Sequence, residues 1–197
     1  LFKLQQELKN SKRNLVIVNE EIPKPTPQEI AEIKRDNYAN KDQMILGLVG
    51  NIQYTGNVEL QRILHKTFVD VILAESRREG ENLNRLTNRA VYLICWLRRY
   101  MSKLFAGWKP SDIGCFIYMG GCNDENEAMF MHFLARTPID VLILCPNRAE
   151  RCRLEDNILY DINYEEQLAI DKFPIQNSGL HIGTAAYHAE RELDTLM

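Results

Sequence analysis

Two places in this chain put glycine between an apolar run and a helical pattern. Gly120-Gly121-Cys122-Asn123-Asp124 follows the run at 115–119, and Gly183-Thr184 follows Leu180-His181-Ile182. A helix start offers free backbone N–H groups and the positive end of the helix dipole, so both turns suit a phosphate or a carboxylate. In an open parallel sheet, ligands sit beyond the carboxyl ends of the strands, where loops leave for the helices. That rule adds residues 146–148 as a third such end. The residues expected to position a ligand are therefore Gly120, Gly121, Asn123, Asp124, Asn147, Gly183 and Thr184. The acidic run Asp124, Glu125 and Glu127 suits a helix dipole but repels phosphate unless a cation such as Mg²⁺ intervenes. Gly-Gly before a helix is also what any tight βα turn uses, so the pattern names a place and not a reaction.

Acid–base chemistry has one further candidate set. The helical pattern at 185–197 puts His188, Arg191 and Glu192 on one face, three and four residues apart, with Glu190 and Asp194 on a neighbouring face. Such a face could supply a general acid or base beside a cation, or form a salt-bridged surface. Cys122, just ahead of a helix start, is placed where a thiol pKa tends to fall. It is a candidate nucleophile or soft-metal ligand, or else a small loop residue. His65 and His132 fall in the middle of helical patterns and read as structural histidines.

The elements that must hold these residues begin with a β-branched run at 14–19, a first strand. Pro23, Pro25 and Pro27 interrupt any ladder, and Thr26 with Pro27 and Glu29 forms a helix-start signature that leads a short helix to Arg35, with Ile30 and Ile33 inward. The apolar stretch at 43–49 contains Gly47 and fits either strand or helix. Apolar residues recur at helical spacing over 58–76 and, most regularly, over 83–104. Two long helices joined by a short polar loop containing Gly80 should pack antiparallel. The broad apolar surface of the second, including Val91, Ile94, Cys95, Trp96 and Phe105, fits against the sheet or a second chain. Arg77, Arg78, Arg98, Arg99 and Lys103 make this hairpin basic at one end, as solvated stems over apolar surface or as an anion site.

Residues 114–147 read as strand, glycine turn, helix and strand, with Asp124 and Glu127 as a capping box and Pro138 as a stop. The second strand is apolar without alternation, as when both faces are covered. Strands and a helix of these lengths should form a right-handed parallel crossover. Broken helical segments over 147–173, a short strand at 180–182 and a last helix complete the chain. The expected fold is α/β: an open, mostly parallel Rossmann-like sheet with flanking helices and an inserted antiparallel helical hairpin at about 58–106, all within one domain spanning 1–197.

With 197 residues and 45% hydrophobic content, the chain is long enough for a full core. Its net charge of -3 argues against a general nucleic-acid binder, which needs clustered positive charge. No apolar run approaches the ~20 residues of a spanning helix and no signal peptide opens the sequence, so no membrane role and a cytoplasmic location are expected. Five cysteines without a C-x-x-C pair fit a reducing compartment. A start at Leu1 and a stop at Met197 inside a helical pattern suggest a piece of a longer protein.

The stretches YMGGCNDENEAMFMHFLARTPIDVLILCPN and GTAAYHAERELDTLM, with the earlier IPKPTP, resemble the YceG-like proteins of bacterial tellurium-resistance and general stress operons, which are catalogued as a component of a "biosynthetic module". The motifs are distinctive in wording and not in mechanism, so no catalytic role carries over to a residue. The resemblance implies a cytoplasmic bacterial protein, longer than this chain, acting beside enzymes that make or modify a small nucleotide-like or peptide-like metabolite. Residues and resemblance together give three expectations. The first is an α/β domain binding a nucleotide or nucleotide-sugar for group transfer, assisted by His188, Arg191 and Glu192. The second is a non-catalytic module that binds protein partners from a stress operon, and the third is a thiol or metal-binding resistance protein using Cys122.

Overall fold

A computed structural model describes residues 1–78, 80–145 and 172–174. Three strands, β1 (Leu15–Val18), β2 (Gly114–Met119) and β3 (Ile139–Leu144), form a parallel sheet in the order β1-β2-β3. Leu15 faces Cys115, and Cys115 faces Asp140 on the other side. Six helices accompany them among the described residues: α1 (Phe2–Asn10), α2 (Pro27–Ala31), α3 (Lys41–Val49), α4 (Val58–Glu75), α5 (Leu83–Leu104) and α6 (Glu125–Leu134). Helices α2 to α5 all lie in the connection from β1 to β2, whereas α6 alone connects β2 to β3.

Alternation along each strand divides the core in two. Val16, Phe116 and Tyr118, with Val141 and Ile143 partly buried, face the larger cluster built by α3 to α6. Cys115, Ile117 and Met119 face the opposite way and pack with Leu8 of α1 and with Phe173. Every residue of β2 is therefore buried, which is why its sequence lacks a polar–apolar rhythm. Strand β3 shares the apolar composition, but only Ile139 is fully buried and Asp140 is exposed; among the described residues both faces of this strand are covered only in part. At the amino ends, Arg13 fastens the sheet by donating to the carbonyls of Ile113 and Gly114 and to the Asp140 carboxylate.

The stretch at 43–49 is helical. Asn40 caps α3 through the Gln43 N–H, and Met44, Ile45 and Leu48 turn inward. Gly47 is accepted within this helix because the Tyr38 ring lies across it; a Cβ there would come within 2.6 Å of that ring. The proline-rich start of α2 forms a full capping box, with Glu29 N–H donating to Thr26 Oγ1 at 3.2 Å and Thr26 N–H donating to Glu29 Oε2 at 2.7 Å.

The two long helices expected at 58–76 and 83–104 are α4 and α5. Helix α4 rests on α3 and α6, while α5 meets α2, α3, α4, α6 and the first two strands. The broad apolar face of α5 is thus shared between the sheet and the neighbouring helices: Val91, Ile94, Cys95, Trp96 and Phe105 are all buried. Phe130 of α6 completes that contact, its ring 5.6 Å from Phe116 and 5.7 Å from Trp96. No helix among the described residues is long and apolar enough to cross a membrane.

Candidate functional site

The loop leaving β2 stays attached to the sheet at first, with Gly120 N–H donating to the Leu144 carbonyl at 3.0 Å. Gly120 is required by close approach and not by a left-handed backbone: a Cβ would lie 2.6 Å from the buried Tyr118 ring. The residue that takes positive φ in this turn is Cys122, at 50°, although glycine is the residue that adopts such a backbone without penalty. Its side chain is 1% exposed, a placement that does not suit a thiol open to attack.

Asp124 caps α6, accepting from Asn126 N–H at 2.6 Å and from Glu127 N–H at 3.4 Å. The expected capping box is completed on one side only, because Glu127 turns inward instead of back. Its Oε1 accepts from the Tyr118 hydroxyl at 2.9 Å and from Ile22 N–H at 3.2 Å, which joins the loop after β1 to the start of α6. Burial pushes the Glu127 carboxyl up from its ordinary value, with Asp124 and Glu21 adding repulsion, against the two hydrogen bonds that favour the anion. The Tyr118 hydroxyl is pushed up as well, by burial first and then by the neighbouring carboxylate.

Beside this loop lies an open cleft of about 810 Å³ between the start of α6 and the first half of α5. Asn123, Asp124, Glu125 and Asn126 line one side. Arg85, Asn88, Arg89 and Tyr92 line the other, spaced three, four and seven apart so that one stripe of α5 faces in. Arg89 forms the floor and is only 5% exposed. Its Nη2 donates to Glu75 at 2.5 Å and to the Glu125 carbonyl at 3.2 Å, and its Nη1 donates to Glu81 at 2.7 Å. Glu75 also accepts from Arg78 at 2.9 Å and stands 3.7 Å from His132 Nδ1. Burial alone would raise the Glu75 carboxyl, but hydrogen bonds from His132 and Arg78 and the charge of Arg89 outweigh it and hold it at about 2. At the rim, Arg85 pairs with Glu125 at 2.5 Å.

Of the residues expected to bind a ligand, Asn123 and Asp124 line this cleft, while Gly120 and Gly121 form the turn that leads to it. Asn147, Gly183, Thr184, His188, Arg191 and Glu192 lie outside the described residues. The α5 stripe joins Asn123 and Asp124 from a part of the chain with no motif of its own, its one sequence signal being polar residues at 85, 88, 89 and 92 on a single helical face. The basic end of the long helices is largely committed: Arg99 holds Glu29 and donates to the Pro23 carbonyl, and Arg98 donates to the Asn51 carbonyl at 3.2 Å. His65 meets the Ile52 carbonyl at 2.8 Å, as a structural histidine should. Among the described residues, no group of three or more His, Cys, Asp or Glu is arranged to hold a metal ion.

No curated protein and no solved structure matches the chain. The family model of the YceG domain matches residues 1–197, and the chain belongs to the YceG domain family.

Proposed function

We propose that this domain binds a nucleotide or nucleotide-sugar at the carboxyl end of its sheet for group transfer, as a component of a bacterial tellurium-resistance and stress-response biosynthetic module in the cytoplasm. The observation that carries the reading is the polar cleft of about 810 Å³ directly after β2, a volume suited to a small-molecule ligand, with Asn123 and Asp124 in its wall. On this proposal the sheet continues in the Rossmann-like manner through the strand pattern at 180–182. Asn147, Gly183 and Thr184 then complete the ligand's surroundings, and His188, Arg191 and Glu192 assist the transfer. The helical hairpin of α4 and α5 is the insertion that brings the α5 stripe to the site. Mg²⁺ fits only if the ligand frees carboxylates, because Asp124 is engaged with backbone N–H groups and Glu125 with Arg85.

A panel of nucleotides and nucleotide-sugars tests this in the full-length protein. At least one member should raise the melting temperature. Gly121→Val, checked for an unchanged melting temperature without ligand, should abolish the rise. No shift with any member would overturn the reading and leave a module that binds protein partners from the same operon.

A further inference from the structure

Apart from Asn123, the polar groups that line the cleft among the described residues fall into two sets. Each charged one has a partner: Arg85 pairs with Glu125 through one N–H, Arg89 with Glu75 and Glu81, and Asp124 accepts from the N–H groups of α6 through one oxygen. Among the described lining residues the charges also balance, two arginines against Asp124 and Glu125. By contrast, the side-chain amides of Asn88 and Asn126 and the hydroxyl of Tyr92 have no hydrogen-bond partner among the described residues. Each amide offers two donors and an acceptor with two lone pairs, and the phenol offers one donor and an acceptor. Among the described lining residues, the side chains left wholly without a partner are therefore uncharged.

The Tyr92 ring is also held in place. It meets Trp96 edge to face, with centroids 6.0 Å apart and planes at 77°, and Trp96 is fixed in turn by donating its indole N–H to the Pro23 carbonyl at 3.0 Å. A ring whose orientation is set before binding loses little freedom when a second ring packs on it. An anion seeking the buried Arg89 at the floor, by comparison, would have to displace a carboxylate, and that exchange strands a buried charge.

We infer that this cleft receives the uncharged ring of the ligand, a nucleobase or a sugar, hydrogen-bonded by Asn88 and Asn126 and packed against Tyr92, and that the ligand's phosphate lies elsewhere. This rests on the proposed nucleotide-type ligand and assigns its parts. Calorimetric titration of the full-length protein with nucleosides, free hexoses, inorganic phosphate and nucleoside diphosphates separates the two ideas. Saturable binding of nucleosides or hexoses is expected, whichever binds naming the ring. It should persist in 0.5 M NaCl, since screening does not touch an uncharged contact. Asn88→Ala and Asn126→Ala should each weaken it roughly three- to tenfold, the worth of one or two neutral hydrogen bonds. Binding by phosphorylated members or phosphate only, lost at high salt, would overturn the inference and leave the proposed function standing. Ring binding untouched by both asparagine substitutions would place the ring in another site and also overturn it. No binding by any probe would overturn both.

Discussion

Tyr118 of β2 donates its hydroxyl to Glu127 of α6 at 2.9 Å inside the protein, and Ile22 N–H, from the loop after β1, donates to the same carboxylate oxygen. One oxygen thereby ties two loops and a helix together at the carboxyl end of the sheet. Among the described residues, Glu127 is surrounded by a phenol, an amide and the carboxylates of Asp124 and Glu21, whereas Glu75 is surrounded by arginines and a histidine.

That arrangement predicts an inverted pH response. The folded protein holds the Glu127 proton more tightly than the unfolded chain does, so this group's contribution is fully present below the ordinary carboxylate value and is lost as pH rises through the raised folded value. Glu127→Gln keeps the acceptor oxygen and removes the titration. Urea denaturation across a pH series should show the variant gaining on the native protein as pH rises above about 4.5; parallel curves would refute the assignment. Tyr118→Phe removes one donor and should cost about 1 kcal/mol at neutral pH.

Arg89 and Arg85 offer a paired comparison on one helix face. Arg89→Met removes a buried partner shared by Glu75 and Glu81 and should cost roughly 3–5 kcal/mol. Arg85→Met breaks an exposed pair and should cost under about 1 kcal/mol. Because the Glu75 carboxyl is depressed to about 2 from 4.5, its stabilisation is present above the ordinary value and lost as pH falls through that window. Acid denaturation of Arg89→Met should therefore depend less steeply on pH between 4.5 and about 2 than that of the native protein. An equal slope would show that Arg78 and His132 alone hold the carboxyl down.

Gly120→Ala tests the close approach of the Tyr118 ring. The ring is buried and hydrogen-bonded, so it has nowhere to yield, and the substitution should cost about 1–3 kcal/mol. In a double-mutant cycle with Tyr118→Leu, most of that cost should vanish, since the obstructing atoms are gone. Full additivity would mean that backbone strain and not the ring is responsible.

The long elements were legible because their apolar residues repeat over many turns; α4, α5, β2, α6 and β3 fall within a residue or two of the sequence reading. Short elements were harder. Residues 43–49 contain too few turns for a period to emerge, and the reason Gly47 is tolerated lies on Tyr38, outside the stretch. The turn after β2 is legible in position, but the backbone roles of its residues are not. Local preference favours glycine for positive φ, whereas the packing of Tyr118 claims Gly120 and passes the left-handed backbone to Cys122. Glu127 shows the same competition, a capping residue by position and a buried acceptor by contact. Asn88, Arg89 and Tyr92 carried no signal beyond that of a polar helix face, because nothing near them in sequence says that α6 begins opposite.

The sheet joins partners at very different ranges. Cys115 faces Asp140 only 25 positions away, but Leu15 faces Cys115 across 100. At about 0.6 kcal/mol per doubling of loop length, the fourfold longer closure costs only about 1.2 kcal/mol more at equilibrium. The larger difference is one of timing: β2, α6 and β3 are contiguous and can assemble as a local unit, while β1 must wait for a search over half the chain. Ile22 N–H reaches Glu127 from the far side of that search. The bond that completes the carboxyl end of the sheet therefore belongs to the last-closing, most non-local part of the fold.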